Sequence, residues 1–477
     1  MSKVKVLATK SIIWSAIERF SVQGMQLILT IIIARFLMPS DYGLIAMLSI
    51  FMAIAQTFID SGFANALIQK KDRTNIDYST VFYFNILISL VLYFCLYLSS
   101  PAIATFYNEP KLDYITKIFG LVIIINSFGI VQQAKLTVEL NFKRQAQAAL
   151  LAVIFSGVAG VWLAYSGYGV WALVWQALLN NILRVLLLWT FSKWMPMIVF
   201  SKRSFNVLFS FGSKLLGSSL LHTIYVNLYT LIIGKIFSAD ICGLYNQAYK
   251  LSNFPSSNLT NIIVRAIYPI QCRMQDDNVQ LRDTYLKYLR MSCYVIFPVM
   301  TAFCALAKPV VIICLKDQWL PVVPLLQILC IAYMWTPIMQ INGSILNVKG
   351  RSDLFLKAEI VKKIVAFGIL IGTIPLGITA MCLGLVAYSF ADMIIISYYT
   401  NKVINITFFS QLKSVFPIIL LSFSMGGIVY IITLIIATSW IQLCVGSIVG
   451  ITYYAAISYL FKSQELKLLL SLHKNKL

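Results

Sequence analysis

Apolar runs of roughly 20 to 28 residues alternate along the whole chain with short polar breaks. Each run is long enough to cross about 30 Å of hydrocarbon with some tilt. About fourteen such runs can be marked out. They cover 12–36, 42–67, 80–106, 114–138, 144–165, 168–190, 205–234, 241–268, 284–308, 322–347, 352–374, 377–401, 414–437 and 439–461. The pattern predicts an all-α integral membrane protein. The first run follows Lys3, Lys5 and Lys10 and superficially resembles a signal peptide. It continues past Glu18 and Arg19 with no small-residue cleavage site, and it reads as a retained first helix.

The polar breaks carry a second pattern. Even-numbered connections hold Lys70, Lys71 and Arg73; Lys143 and Arg144; Lys193, Lys202 and Arg203; Arg273, Arg282 and Lys287; Lys349 and Arg351; and Lys402 and Lys413. Odd-numbered connections hold few bases, and three of them hold none. The bias alternates down the chain and predicts both termini in the cytoplasm. The net charge of +21 is therefore read as loop retention, not as a nucleic-acid surface. Composition agrees: 60% of residues are hydrophobic and only 12% charged, with a mean hydropathy of +0.83. So few charges cannot cover a water-facing surface. The nine cysteines form no C-x-x-C and lie mostly in apolar runs, so neither a disulfide framework nor a metal site is expected.

The chain also resembles itself. Residues 31–44 read IIIARFLMPSDYGL and residues 231–244 read LIIGKIFSADICGL, an offset of 200. Ile33 pairs with Ile233, Arg35 with Lys235, Gly43 with Gly243 and Leu44 with Leu244. The second copy begins an even number of spans after the first, so both have the same orientation in the membrane. This is the parallel type of transporter repeat. It predicts an N-terminal lobe over 1–200, a C-terminal lobe over 201–402, and a final helix pair with a tail over 403–477.

A charge at mid-membrane costs roughly 2.5–3.5 kcal/mol on the insertion scale, so such residues face a bundle interior or an aqueous cavity. Arg19 lies about 10 Å and Lys250 about 15 Å into their helices at 1.5 Å per residue. Arg19 is a candidate either for a structural pair with Asp60 or for holding an anion in a cavity. Lys250 points to a polar cavity. Arg265, Arg184 and Lys214 could snorkel to the nearest interface or serve a site. Asp392 could pair with one of these bases or titrate. His222 could carry a coupling proton or bond a neighbouring helix. Glu18 joins Asp60, Asp392 and His222 as a group for coupling or for structural pairs. No G-x-x-x-x-G-K-[ST], H-E-x-x-H or potassium-filter motif is present, and no catalytic or cofactor site is expected.

The block ARFLMPSDYGLIAM at 34–47, followed by DSGFANALIQKKD at 60–72, resembles the opening of one family. It is the polysaccharide-transport branch of the multidrug/oligosaccharidyl-lipid/polysaccharide exporter superfamily. The resemblance implies two parallel six-helix lobes in a V around a central cavity, with a C-terminal helix pair. It implies a flippase in the bacterial inner membrane, not an enzyme. The expected cargo is an undecaprenyl-diphosphate-linked oligosaccharide, carried from the cytoplasmic to the outer face by alternating access. Arg19 fits the family's cavity-facing helix 1 arginines, with Lys250, Arg265 and Arg184 as further diphosphate-binding candidates. Lobe 2 departs from strict symmetry, since Ser219 stands where a copy of Arg19 would be. Membrane lipid is an implied partner, and a polysaccharide polymerase and glycosyltransferases are candidate protein partners. The coupling ion, H+ or Na+, is left open. Two other readings compete: a cation-coupled multidrug antiporter of the same superfamily, and a non-transporting scaffold for polysaccharide synthesis. Basic residues outnumber acidic ones inside the spans, which favours an anionic cargo.

Overall fold

The computed structural model describes residues 21–60, 63–70, 72–463 and 465–466. Glu18 and Arg19 lie outside them, and so does the side chain of Asp60; the expected Arg19–Asp60 pair therefore falls outside the described residues. Among the described residues every regular element is helical. The chain falls into two compact units, residues 1–246 and 247–477.

Unit 1 begins with α1 (Ser21–Ala34), α2 (Pro39–Asp60), α3 (Phe63–Gln69) and α4 (Asn75–Tyr107). The next span is broken into α5 (Lys111–Phe119), α6 (Leu121–Ser127) and α7 (Ile130–Val138). Then come α8 (Phe142–Tyr165), α9 (Val170–Ser192) and α10 (Lys202–Ile236). The helix α11 (Ala239–Arg273) runs from unit 1 into unit 2. Unit 2 continues with α12 (Asn278–Ala305), α13 (Ala307–Leu315), α14 (Val322–Tyr333), α15 (Thr336–Val348), α16 (Ser352–Thr373), α17 (Ile378–Ile404), α18 (Phe408–Ile435) and α19 (Ser439–Leu460).

Eleven stretches of the described chain are helical, long and apolar enough to cross a membrane. The protein is a multi-pass membrane protein. The count of 14 is not reached on these terms, and the shortfall has a plain cause. The expected span 12–36 starts outside the described residues. The expected spans 241–268 and 352–374 form α11 and α16, helices of sufficient length whose polar side chains keep them out of the apolar class.

Two helix interiors accommodate a proline by recruiting a hydroxyl. Proline removes one N–H and frees the carbonyl four residues before it. In α4, Pro101 leaves the Tyr97 carbonyl, and the Ser100 hydroxyl donates to it at 2.8 Å. The helix therefore continues to Tyr107 and does not end at Pro101. In α12, Pro298 leaves the Tyr294 carbonyl, and the Tyr454 hydroxyl of α19 donates to it at 3.0 Å. With no water at this depth, such substitutions keep the helices intact.

The repeat read from the sequence is a structural repeat. α2 opens at Pro39 and α11 at Ala239, the same offset of 200 residues. Ile33 and Ile233 are both fully buried. Tyr42 donates its hydroxyl to the Thr30 carbonyl at 3.0 Å, and Cys242 directs its thiol to the Thr230 carbonyl at 3.9 Å. The two copies also meet each other. A Cβ on Gly43 would run into the Ala239 carbonyl, and a Cβ on Gly243 would run into the Pro39 carbonyl. The contact is reciprocal, as a local two-fold axis requires. Only glycine permits this approach of backbones. Behind it α10 packs along α2, with the Thr57 and Thr223 hydroxyls 3.0 Å apart.

Candidate functional site

Three places in the described structure hold the charged candidates among the helices.

The first is a cavity of about 310 Å³ within unit 1. α2 and α3 supply Gln56 and Ala64; α6 and α7 supply Asn126, Gln133 and Thr137; α9 supplies Arg184. Arg184 is half-buried, and its Nη2 donates to Gln133 Oε1 at 3.0 Å. Asn126 Nδ2 donates to Gln56 Oε1 at 3.1 Å. Gln145 of α8 donates to the Thr137 hydroxyl at 2.9 Å and to the Gln133 carbonyl at 3.3 Å. The break between α6 and α7, at Phe128 and Gly129, makes this wall possible. A Cβ on Gly129 would come to 3.0 Å from Val185 Cγ2, so glycine lets α9 lie close.

The second is a face of α11 in unit 2. Lys250, Ser257, Asn261, Arg265 and Tyr268 recur at helical spacing and fall within about 60° of one direction at 100° per residue. Lys250, Asn261, Arg265 and Tyr268 are exposed, and Ser257 is half-buried. The Ser257 hydroxyl donates to Asn253 Oδ1 at 2.5 Å on the flank of this face. Neither Lys250 nor Arg265 has a hydrogen-bond or ion-pair partner among the described residues. They stand roughly 22 Å apart along the axis. Exposed amides and cations on a membrane helix are not tolerated against lipid tails, so this face requires an aqueous space. The opposite face packs inward, where the buried Ser256 hydroxyl donates to the Tyr333 carbonyl at 2.6 Å.

The third is an ion cluster between α16 and α17 in unit 2. Buried Asp392 lies 3.3 Å from Lys362 Nζ. Lys362 also pairs with Glu359, and Lys363 lies 3.8 Å from the same Glu359. Asp392 does not pair with Arg265; its partner among the described residues is Lys362, 30 residues upstream on α16. The sequence does carry a signal for it. Glu359 and Lys362 form an i,i+3 pair inside the expected span 352–374, and three lysines with a glutamate in 357–363 are too many charges for a lipid-facing surface.

The structure thus places Arg184 in the unit 1 cavity, Lys250 and Arg265 on one face of α11, and Asp392 in the α16–α17 cluster. His222 is exposed on α10 and has no hydrogen-bond or ion-pair partner among the described residues. The carboxamides Gln56, Asn126 and Gln133 were not anticipated. Their signal is an amide in an otherwise apolar run, weak by itself because single amides serve equally in helix packing.

An all-helical membrane fold with a structural repeat and cation-bearing polar interiors defines a transporter-type bundle. The sequence model of the family described as "Polysaccharide biosynthesis protein" matches residues 32–324, and the chain belongs to that family. The chain is 27% identical over 343 residues to the teichuronic acid biosynthesis protein TuaB of Bacillus subtilis (strain 168), spanning 72% of this chain and 71% of the relative. It is 27% identical over 393 residues to the lipopolysaccharide biosynthesis protein WzxC of Escherichia coli (strain K12), spanning 81% of this chain and 79% of the relative. Among solved structures it shares its fold with the lipid II flippase MurJ, inward closed conformation. The TM-score is 0.74 at 14% sequence identity, over 94% of this chain and 98% of the other.

Proposed function

We propose that the protein is a flippase for a polyprenyl-diphosphate-linked oligosaccharide. It takes the lipid-linked unit from the cytoplasmic face of the bacterial inner membrane and releases it at the outer face for polysaccharide assembly. The observation that carries this reading is the polar face of α11. It sets two cations, Lys250 and Arg265, at either end of a row of hydroxyl and amide groups in a family of polysaccharide biosynthesis proteins.

The chemistry fits the cargo. A diphosphate carries about two negative charges, and cations in a low-dielectric space attract it strongly. Lys250, Arg265, Arg184 and Arg19 are the groups assigned to it. Sugar hydroxyls need partners of both kinds, and serine and asparagine side chains supply donors and acceptors together. The hydrocarbon tail needs no site in water and stays in the bilayer. No bond is made or broken in this cycle, so the protein acts without enzymatic chemistry. Two six-helix lobes, 1–200 and 201–402, open alternately to either side in this reading, with 403–477 as an addition and both termini in the cytoplasm. A polymerase and glycosyltransferases are the natural protein partners, since they consume and supply the cargo. Coupling to H+ or Na+ would run through Glu18, Asp60, Asp392 or His222. Of these, Asp392 is held by Lys362, an arrangement that also serves a structural role.

The test uses the native host with this gene deleted. Lipid-linked oligosaccharide on the cytoplasmic face is quantified, with rescue by the wild type, Arg19→Ala and Lys250→Ala. Accumulation that only the wild type relieves supports the reading. No accumulation, with increased sensitivity to cationic drugs, replaces it with the antiporter. Accumulation without flipping by purified protein in vesicles replaces it with the scaffold.

A further inference from the structure

The unit 1 cavity holds more than its arginine requires. We propose that it is a ligand subsite for an oxyanion flanked by hydroxyls, the chemistry of a phosphate or carboxylate borne on a sugar. The assignment of its ligand to the transported cargo rests on the flippase reading; the site itself does not.

The first argument is the state of Arg184. A guanidinium carries five N–H donors and accepts nothing. The structure gives it one contact, to Gln133 Oε1 at 3.0 Å. That bond fixes the plane of the fork and leaves the remaining donors without a partner among the described residues. A planar fork with open donors matches a carboxylate or phosphate bidentately. The second argument is the lining. Among the described residues no carboxylate lines the cavity. Beside it stand Gln133 and Asn126, whose amides offer both donor and acceptor atoms, as sugar hydroxyls require.

The third argument is the space. At about 310 Å³ the cavity lies at the small end of the range for ligand pockets, roughly 300–1,000 Å³. One headgroup fits it; a whole oligosaccharide does not. Small residues, Ala64, Gly129 and Ala134, keep it open. Its place is also informative. Arg184 lies eight residues before the end of α9 at Ser192, about 12 Å at 1.5 Å per residue. The basic loop beginning at Lys193 follows, which is the cytoplasmic side in the proposed topology. The cavity therefore sits where a cargo headgroup would first enter.

The experiment titrates purified full-length protein in lipid nanodiscs with inorganic pyrophosphate, glucuronate and glucose, read by calorimetry. Variants are Arg184→Gln, Arg184→Lys and the space-filling Ala64→Leu, each retained only if its thermal midpoint matches the wild type. The wild type is expected to bind one of the anions at least tenfold more tightly than glucose. Arg184→Gln and Ala64→Leu should each weaken that anion at least tenfold, and Arg184→Lys should fall between because it keeps the charge and loses the fork. Preference for pyrophosphate identifies the lipid linker as the source, and preference for glucuronate identifies an acidic sugar. Absence of saturable anion binding, or unchanged affinity in Arg184→Gln, overturns the proposal. Because the probes are soluble and nothing is transported, a positive result here with no accumulation in the deletion strain leaves the subsite standing and removes the flippase. Accumulation with no anion binding does the reverse.

Discussion

Asp392 shows what a single side chain must satisfy in this protein. Buried on α17, it has Lys362 at 3.3 Å, and Lys362 is itself buried and shared with Glu359. Removing one member of a buried ion pair strands the other, at a cost of about 3–5 kcal/mol. Lys362→Met should therefore lower the thermal midpoint of the purified protein markedly, and adding Asp392→Leu to it should restore most of the loss. If Lys362→Met and Asp392→Leu, each made alone, unfold at the wild-type temperature, the pair contributes nothing to stability. The acid was legible in the sequence as an intramembrane charge, and so was the charge cluster at 357–363, but not that the two would meet. Lys362 is 30 residues away on another helix, and no periodicity links the two.

At the scale of elements, the repeated helix pair is the clearest device. The motif around Gly43 returns around Gly243, and the two glycines face each other's backbone, at Ala239 and Pro39. Any side chain at either position must push the helices apart. Gly43→Val and Gly243→Val are each expected to abolish rescue of the deletion strain, and by the symmetry of the contact to do so alike. Full rescue by either variant would show that the close approach is dispensable. The repeat could be read from residue identities. That its two copies touch could not, because contact depends on how the helices are brought together and not on their likeness. The α11 helix makes the same point in reverse. Its length and ends could be read, but its polar residues made it a poor membrane helix until its exposed face, Lys250 to Tyr268, was seen as one surface.

At the scale of the molecule, a buried polar network ties the late helices into unit 2. Tyr285 of α12 donates to Asn342 Oδ1 at 3.0 Å, and Asn342 of α15 donates to Gln411 Oε1 of α18 at 2.9 Å. Ser397 of α17 donates to the same Gln411 oxygen at 3.1 Å. Four helices thus share one set of hydrogen bonds in which Tyr285, Asn342 and Ser397 are fully buried. Gln411→Leu leaves Ser397 without its acceptor and Asn342 Nδ2 with only the Ile338 carbonyl at 2.8 Å, at about 1–3 kcal/mol for an unsatisfied group. The expected result is a lower thermal midpoint and greater protease sensitivity of the purified chain. An unchanged midpoint would show that water or a rearranged neighbour takes the place of the amide.

The sequence by itself determined that this chain lives in a membrane, that it is helical throughout, where most spans begin and end, and that it contains a repeat. Each of these follows from a local property: the hydrocarbon core imposes a length and a polarity on a span, and most spans meet that requirement alone, α11 and α16 being the exceptions. Tertiary structure alone decided which charges are paired and which stand open. Lys362 finds Asp392, Arg184 finds Gln133, and Lys250 and Arg265 find no partner among the described residues. Pairing is a matter of distance between helices, and the same solvent that makes spans legible one at a time places no mark in the sequence for which spans become neighbours.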